Sequence, residues 1–340
     1  MQRRCRIAVL MGGVSNEREV SFKSGKAVAT ALKEAGHNVF PVEVNERNID
    51  MLGPLAPDAV FIALHGEFGE DGGIQHLLEE KGIPYTGSRP QASRMGMDKV
   101  ASKRAFIKNA VPTADYIVVE KSTELGRVVA QAAGIGYPLV CKPSKGGSSL
   151  GVSIVRSEKE LVGALEKAFS CPRGQAGDPP GHASGLSVAD DCCLVESYAA
   201  GREFTVGIFD GEPLPLIEVL PQREFFDYEA KYTDQNTQYC IPVSLLESLY
   251  RKTQEVALRA YNSLGCRHMG RVDLIYGHDG KLYVLEINTI PGFTPRSLLP
   301  MAARYAGIEF GDLCSRIVEL ALRDAEQLAT AAAIRKREIA

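Results

Sequence analysis

The stretch that most restricts what this chain can fold into lies near its C-terminus, from Gly270 to Pro300, GRVDLIYGHDGKLYVLEINTIPGFTPRSLLP. Two β-rich runs, Arg271 to Tyr276 and Lys281 to Asn288, are split by Gly277-His278-Asp279-Gly280. Asp-Gly between such runs predicts a hairpin. Asp273 then lies on one strand among Val272, Leu274 and Ile275, while Glu286 and Asn288, two apart on the other, share a face of the pleat. A carboxylate among aliphatic residues is costly unless something compensates it. One compensation is a hard divalent cation, held by three side-chain oxygens with phosphate completing its shell. The other is a pair of structural carboxylates matched to arginines. The turn Pro291-Gly292 follows at once and brings backbone N–H groups close to the same face.

Upstream, strand and helix alternate. Ile7 to Met11 reads as a strand, Ser21 to Ala35 as a helix stopped by Gly36, and Val39 to Val44 and Ala59 to Leu64 as further strands. A helix to about Lys81 follows. This order predicts parallel βαβ units, with ligands collecting beyond the carboxyl ends of the strands. The loops carrying Glu17 and His65 sit at those ends, although Glu17 taken alone reads as a helix N-terminal charge rather than a ligand group. No G-x-G-x-x-G fingerprint is present, which argues against a nicotinamide cofactor.

A new unit starts at Met97-Asp98-Lys99, with Asp98 expected to cap a helix to Lys108. A helix from Ser122 to Ala133 and a strand from Pro138 to Pro143 precede the loop SKGGSSLG, 144–151, and then a strand from Val152 to Val155. Ser157 with Glu160 predicts a capping box. The glycine- and serine-rich loop, with Lys142 just before it, suits phosphate contacts from backbone N–H groups and hydroxyls, yet it is not a Walker A motif. An ordinary flexible hairpin is the alternative. Residues 171–190 read as a surface insertion. The strands Cys193 to Tyr198, Gly201 to Val206 and Leu214 to Leu220 are expected to join the C-terminal hairpin in one antiparallel sheet. The polar and aromatic stretch Phe225 to Asp234 reads as a lid. Ser244 with Glu247 is expected to cap a helix to Leu264, and helices are expected from Leu298 to Tyr305 and from Gly311 to about Ala329, with a frayed end beyond.

Composition narrows the function. The 340 residues exceed one ordinary core, and 45% hydrophobic with 24% charged residues is typical of a soluble globular protein. A net charge of −3, with no Trp, argues against a nucleic-acid binder. The apolar run after the basic start is five residues long, too short for a signal peptide, and no stretch reaches the ~18 residues of a membrane span. Eight scattered cysteines without C-x-x-C predict reduced thiols and a cytoplasmic protein.

Taken together, GGVSNEREVS (12–21), LHGEFGEDG (64–72), MDKVASK (97–103), KPSKGGSSLGVS (142–153), GREFTVGI (201–208), DYEAKY (227–232), GRVDL (270–274) and LEINTIPGFTPRSLLPMAAR (285–304) resemble the D-alanine–D-alanine ligase family of ATP-grasp enzymes. The resemblance implies mixed α/β and α+β architecture: an N-terminal Rossmann-like, pre-ATP-grasp parallel sheet followed by a two-subdomain ATP-grasp fold. The expected division is a substrate domain at 1–96, a central subdomain at 97–190, a C-terminal subdomain at 191–325 and a tail at 326–340.

The implied chemistry joins two D-alanines to D-alanyl-D-alanine, a peptidoglycan precursor, with ATP activating one carboxylate as an acyl phosphate. Asp273, Glu286 and Asn288 would hold two Mg²⁺ or Mn²⁺ ions. Lys99, Lys142, Ser149 and Lys231 would face the ATP phosphates, and Glu196 and Glu203 its adenine and ribose. Glu17 would bind the first ammonium and reach Tyr232 on the lid through Ser148; Arg271 and the Gly292 N–H would form an oxyanion hole; Ser297 would bind the second carboxylate. His65 would touch the first substrate. Family members that use D-lactate or D-serine as the second substrate generally lack the lid tyrosine, so Tyr232 favours D-alanine. The partners implied are small molecules and a second copy of the chain, with no nucleic acid or membrane. Another ATP-grasp carboxylate–amine ligase, and a nucleotide-binding module without catalysis, are the alternatives.

Overall fold

The computed structural model describes residues 4–146, 150–171, 192–220 and 237–339. The first sheet is built from β1 (Arg6–Gly12), β2 (Asn38–Val44) and β3 (Ala59–Ile62), all parallel in the order β2-β1-β3. Successive residues of β1 point to opposite sides. Ile7, Val9 and Met11 enter a core with the helices Arg18–Glu34 and Phe310–Ile339, while Ala8 and Leu10 enter another with Leu52 and Leu78. Both faces are therefore covered, which is why β1 is apolar throughout. The last helix runs to Ile339, past the end expected near Ala329, because the alanine-rich sequence at 329–333 favours helix and nothing there stops it.

The second sheet contains β4 (Tyr116–Glu120), β5 (Leu139–Pro143), β6 (Ser153–Val155) and β7 (Cys192–Ser197), antiparallel in the order β4-β7-β5-β6. Strand β4, with its β-branched Ile117, Val118 and Val119, adds to the elements expected from sequence. The helices Leu125–Ile135 and Glu158–Phe169 cover one face through Val128, Ala132, Leu161 and Leu165. One expectation is corrected here: β7, carrying Glu196, does not join the C-terminal hairpin. It pairs with β4 and β5, where Cys193 and Val195 bury against Cys141 and Val119.

The third sheet holds β8 (Gly201–Phe209), β9 (Glu212–Pro213), β10 (Ile217–Leu220), β11 (Gln238–Cys240), β12 (Met269–Gly277) and β13 (Leu282–Asn288). Its order is β11-β10-β8-β12-β13, with β9 on β8 and every pairing antiparallel. The β12–β13 hairpin is the one expected, and Gly280 takes the positive φ of +77° that its turn requires. Helix Glu247–Ser263 lays Thr253, Val256, Ala257, Ala260 and Tyr261 on the sheet, the spacing of one helical face. Opposite it, Val206, Val272, Leu274 and Val284 fill the core, so the alternate residues Thr205, Arg271 and Asp273 face away. Ser244 does not cap this helix; its N-cap is Leu246, and Glu247 bonds Arg251 Nε at 2.7 Å instead. At Ser157 no capping box forms: its side chain caps no N–H, and Glu160 accepts at 2.8 Å from the N–H of Arg156, one residue before the N-cap. Asp98 caps as expected, accepting from the Ala101 N–H at 2.9 Å.

Candidate active site

The second and third sheets face each other across a cleft of ≈ 330 Å³. Its lining includes Lys99, Lys142, Glu196, Glu203, Asp273 and Glu286. Lys99 opens the helix Lys99–Lys108, whose start is stitched to the base of the 144–151 loop by the Lys99 N–H to Ser144 O bond of 2.8 Å. Its ammonium donates to Gly146 O at 2.6 Å and lies 3.9 Å from Glu286. Glu196 is 3% exposed and receives two ammonium groups, Lys142 on one oxygen and Lys103 on the other at 2.7 Å. Burial alone would push this carboxyl up, but the two lysines override it and hold the group below its ordinary range.

On the facing wall, Asp273 of β12 lies opposite both Glu286 of β13 and Thr205 of β8. Arg271 donates to Asp273 through Nε at 2.9 Å and Nη2 at 2.8 Å, and Thr205 Oγ1 donates at 2.6 Å. Asn288 pairs with Arg271, one step along the same face. Immediately after Asp273 a bulge skips Leu285, so the register that aligns the polar face changes toward the turn. The three oxygen donors expected from sequence thus do share a face. They are hard ligands, the carboxylate oxygens retain lone pairs beyond those used by Arg271 and Thr205, and the set fits a Mg²⁺-like ion. Of the two compensations left open by the sequence, the arginine is in place, Arg271 on Asp273.

A second cluster gathers around the loops of the first sheet. Glu17, at the N-cap of helix Arg18–Glu34, lies over Gly66; a Cβ there would come within 2.7 Å of its Oε2, and Gly66 has a φ of +70°. His65 Nε2 and Ser24 Oγ are hydrogen-bonded at 3.0 Å, and Ser24 Oγ accepts from the Phe293 N–H at 3.1 Å. Toward a carboxylate at Glu70, 3.2 Å away, His65 Nδ1–H is the donor, which in the neutral ring leaves Nε2 to accept from Ser24. Gly292, next to Phe293, lies against Ser297, whose Oγ accepts from the Thr294 N–H at 3.0 Å and caps no helix N–H. Ser297 stands at the start of helix Leu298–Tyr305, as expected.

Two family models match the chain, one described as D-ala D-ala ligase C-terminus at residues 93–173 and 183–319, the other as D-ala D-ala ligase N-terminus at residues 52–88. The chain is 42% identical over 313 residues to the D-alanine–D-alanine ligase of Syntrophotalea carbinolica, spanning 92% of this chain and 95% of that one. It belongs to the D-alanine–D-alanine ligase family. Another member, from Geobacter sulfurreducens, is 43% identical over 92% of this chain and 93% of its own. The Bacillus anthracis ligase solved in complex with ATP superposes with a TM-score of 0.79 at 34% identity, covering 95% of this chain and 99% of that one.

Against the ligase pattern, the chain brings Lys99, Lys142, Glu196, Glu203, Asp273 and Glu286 to one cleft, and Glu17, His65, Gly292 and Ser297 to the loops near the first sheet. Ser148, Ser149, Lys231 and Tyr232 lie outside the described residues, as do the 171–190 insertion beyond Cys171 and the 225–234 lid. Sequence reasoning missed Lys103, Thr205, Ser24 and Glu70. Lys103 carried a usable signal, four residues after Lys99 and so on the same helical face. No helix among the described residues is long and apolar enough to cross a membrane, and the eight cysteines, all of them described, form no disulfide.

Proposed function

We propose that the chain uses ATP to join two D-alanines, through an acyl phosphate, into the dipeptide that peptidoglycan synthesis consumes. The observation that carries this is the cleft itself, with Lys99 and Lys142 on one wall facing Asp273 and Glu286 on the other. Cations on one side and hard oxygen ligands on the other are what a nucleotide triphosphate with its metal requires.

Lys99 and Lys142 bind phosphate oxygens as point charges, and Ser149 and Lys231 add to them. Glu196 accepts from the adenine amino group and Glu203 from ribose hydroxyls. Asp273, Glu286 and Asn288 would hold two Mg²⁺ or Mn²⁺ ions, which neutralise phosphate charge when bound. Glu17 receives the first substrate's ammonium and is linked through Ser148 to Tyr232. Arg271 and the Gly292 N–H stabilise the developing oxyanion, while Ser297 and the N–H groups at the start of its helix hold the second carboxylate. Closure of the 225–234 segment keeps water from the acyl phosphate. The division at 97, 191 and 326, a homodimer and a cytoplasmic setting belong to the same proposal.

The test is phosphate release with ATP and Mg²⁺ in the presence of D-alanine, L-alanine, D-lactate or D-serine. Release coupled to dipeptide with D-alanine is expected; no release with D-alanine, or a clear preference for D-lactate or D-serine as the second substrate, would overturn the assignment.

A further inference from the structure

Lys103 lies one turn beyond Lys99 on the same helix, yet it is only 1% exposed. Its ammonium has three protons and three oxygens in reach: Thr113 Oγ1 at 2.7 Å, Ala114 O at 3.2 Å and Glu196 at 2.7 Å. Two hydrogen bonds and one ion pair enclose the ammonium within the protein, so Lys103 does not bind a ligand itself. Thr113 passes the connection on, donating to Val284 O of β13 at 2.9 Å, two residues before Glu286. The Tyr116 ring lies 5.2 Å from the ammonium. Lys142, the other cation on Glu196, differs in one respect: it lines the cleft.

We infer that Lys103 is a positioning residue for the nucleotide: as the permanent counter-ion of Glu196, it lets Lys142 leave that carboxylate for a phosphate oxygen. Resting on the nucleotide reading of the cleft, this assigns different tasks to two lysines that share one partner. A carboxylate this deep, left with a single cation, either keeps that cation or takes up a proton. With two cations, the one that lines the cleft is exchangeable and the enclosed one stays. The electrostatics agree with the geometry. Burial pulls Lys103 down, with Glu196 and Asp115 opposing and Lys142 adding to the fall; among the described residues these are the charged groups that act on it most.

The test is steady-state kinetics for ATP and for D-alanine between pH 6 and 9 on the wild type, K103M, K103R, E196Q and the double variant K103M/E196Q. K103M is expected to raise the KM for ATP by roughly tenfold or more, the scale of one lost charge-assisted contact, while the KM for D-alanine stays within about twofold. The ratio of variant to wild-type KM for ATP should shrink as pH falls, because Glu196 with one cation fewer is the easier to protonate and, once neutral, releases Lys142; K103R should recover part of the loss. The double variant, lacking the carboxylate that needs a cation, should match E196Q alone; this comparison decides the matter even where K103M fails to fold. An unchanged KM for ATP in K103M, equal losses for both substrates, or a double variant far worse than E196Q would overturn the role of Lys103 and leave the nucleotide reading standing. A wild type showing no ATP-dependent rate would instead remove the nucleotide reading, and this inference with it.

Discussion

Glu196, in the cleft between the second and third sheets, and Glu70, beside the loops of the first, are both removed from water, and their surroundings drive them in opposite directions. Burial raises each. At Glu196, ammonium groups arrive from β5 and from the Lys99–Lys108 helix and more than offset it. At Glu70 the partner is an imidazole N–H, the Glu17 carboxylate adds repulsion, and the group stays raised. Depth therefore does not decide charge in this molecule; the identity of the partner does. The cleft is built to keep ions ionised, as phosphate chemistry demands. The proposed amino-acid end instead strings neighbouring groups into a hydrogen-bonded chain from Glu70 through His65 and Ser24 to the Phe293 N–H.

The largest way to break this contrast is E196Q. Two buried ammonium groups would lose their common counter-ion, a change that typically costs roughly 3–5 kcal/mol, which for a chain of this size lowers the melting temperature by on the order of 10 °C. A variant melting with the wild type would mean that charge pairing does not organise the cleft. Next is Asp273→Asn, which keeps the shape and one oxygen for Thr205 but removes the charge that Arg271 and the proposed ions share. Turnover should fall by roughly a hundredfold or more, the scale of several kcal/mol of charge stabilisation, with melting little altered. Rapid turnover by this variant would remove Asp273 from the metal site.

Those two residues also mark how far the sequence could be read. Asp273, Glu286 and Asn288 were legible because an Asp-Gly hairpin and a period of two put them on one face without any knowledge of distant partners. The parallel pairing of the first sheet was legible for a similar reason, since it follows from local alternation of strand and helix. Strand β7 was not: its neighbours β4 and β5 lie some 50 to 75 residues upstream, and nothing local in CCLVES distinguishes one antiparallel sheet from another. The spacing of Lys103 from Lys99 puts both on one helical face, but its enclosure follows from the approach of Glu196, some ninety residues away in sequence. Ser24 touches Phe293 across 269 residues of sequence, a contact that no motif announces.

The smallest expected effect falls on Glu70, and its sign separates the two ends most sharply. Glu70 is raised from an ordinary value of 4.5, so between 4.5 and its value in the fold the native chain keeps a proton that the unfolded chain has lost. Its contribution to stability is full below 4.5 and is lost as pH rises through the raised value. The amide introduced by E70Q would imitate the protonated acid at every pH while still offering an oxygen to His65 Nδ1–H. E70Q should therefore melt at or slightly above the wild type at pH 8, with the gap closing as pH falls toward 4.5, and turnover should change by less than roughly tenfold. This is the reverse of the E196Q expectation, although both replace a largely enclosed glutamate by its amide. A thermal scan of the two variants at pH 5 and pH 8 reads the difference directly. If E70Q lost as much stability at pH 8 as E196Q, Glu70 would be acting as a paired anion, and the distinction between an ionised cleft and a hydrogen-bonded amino-acid end would not hold.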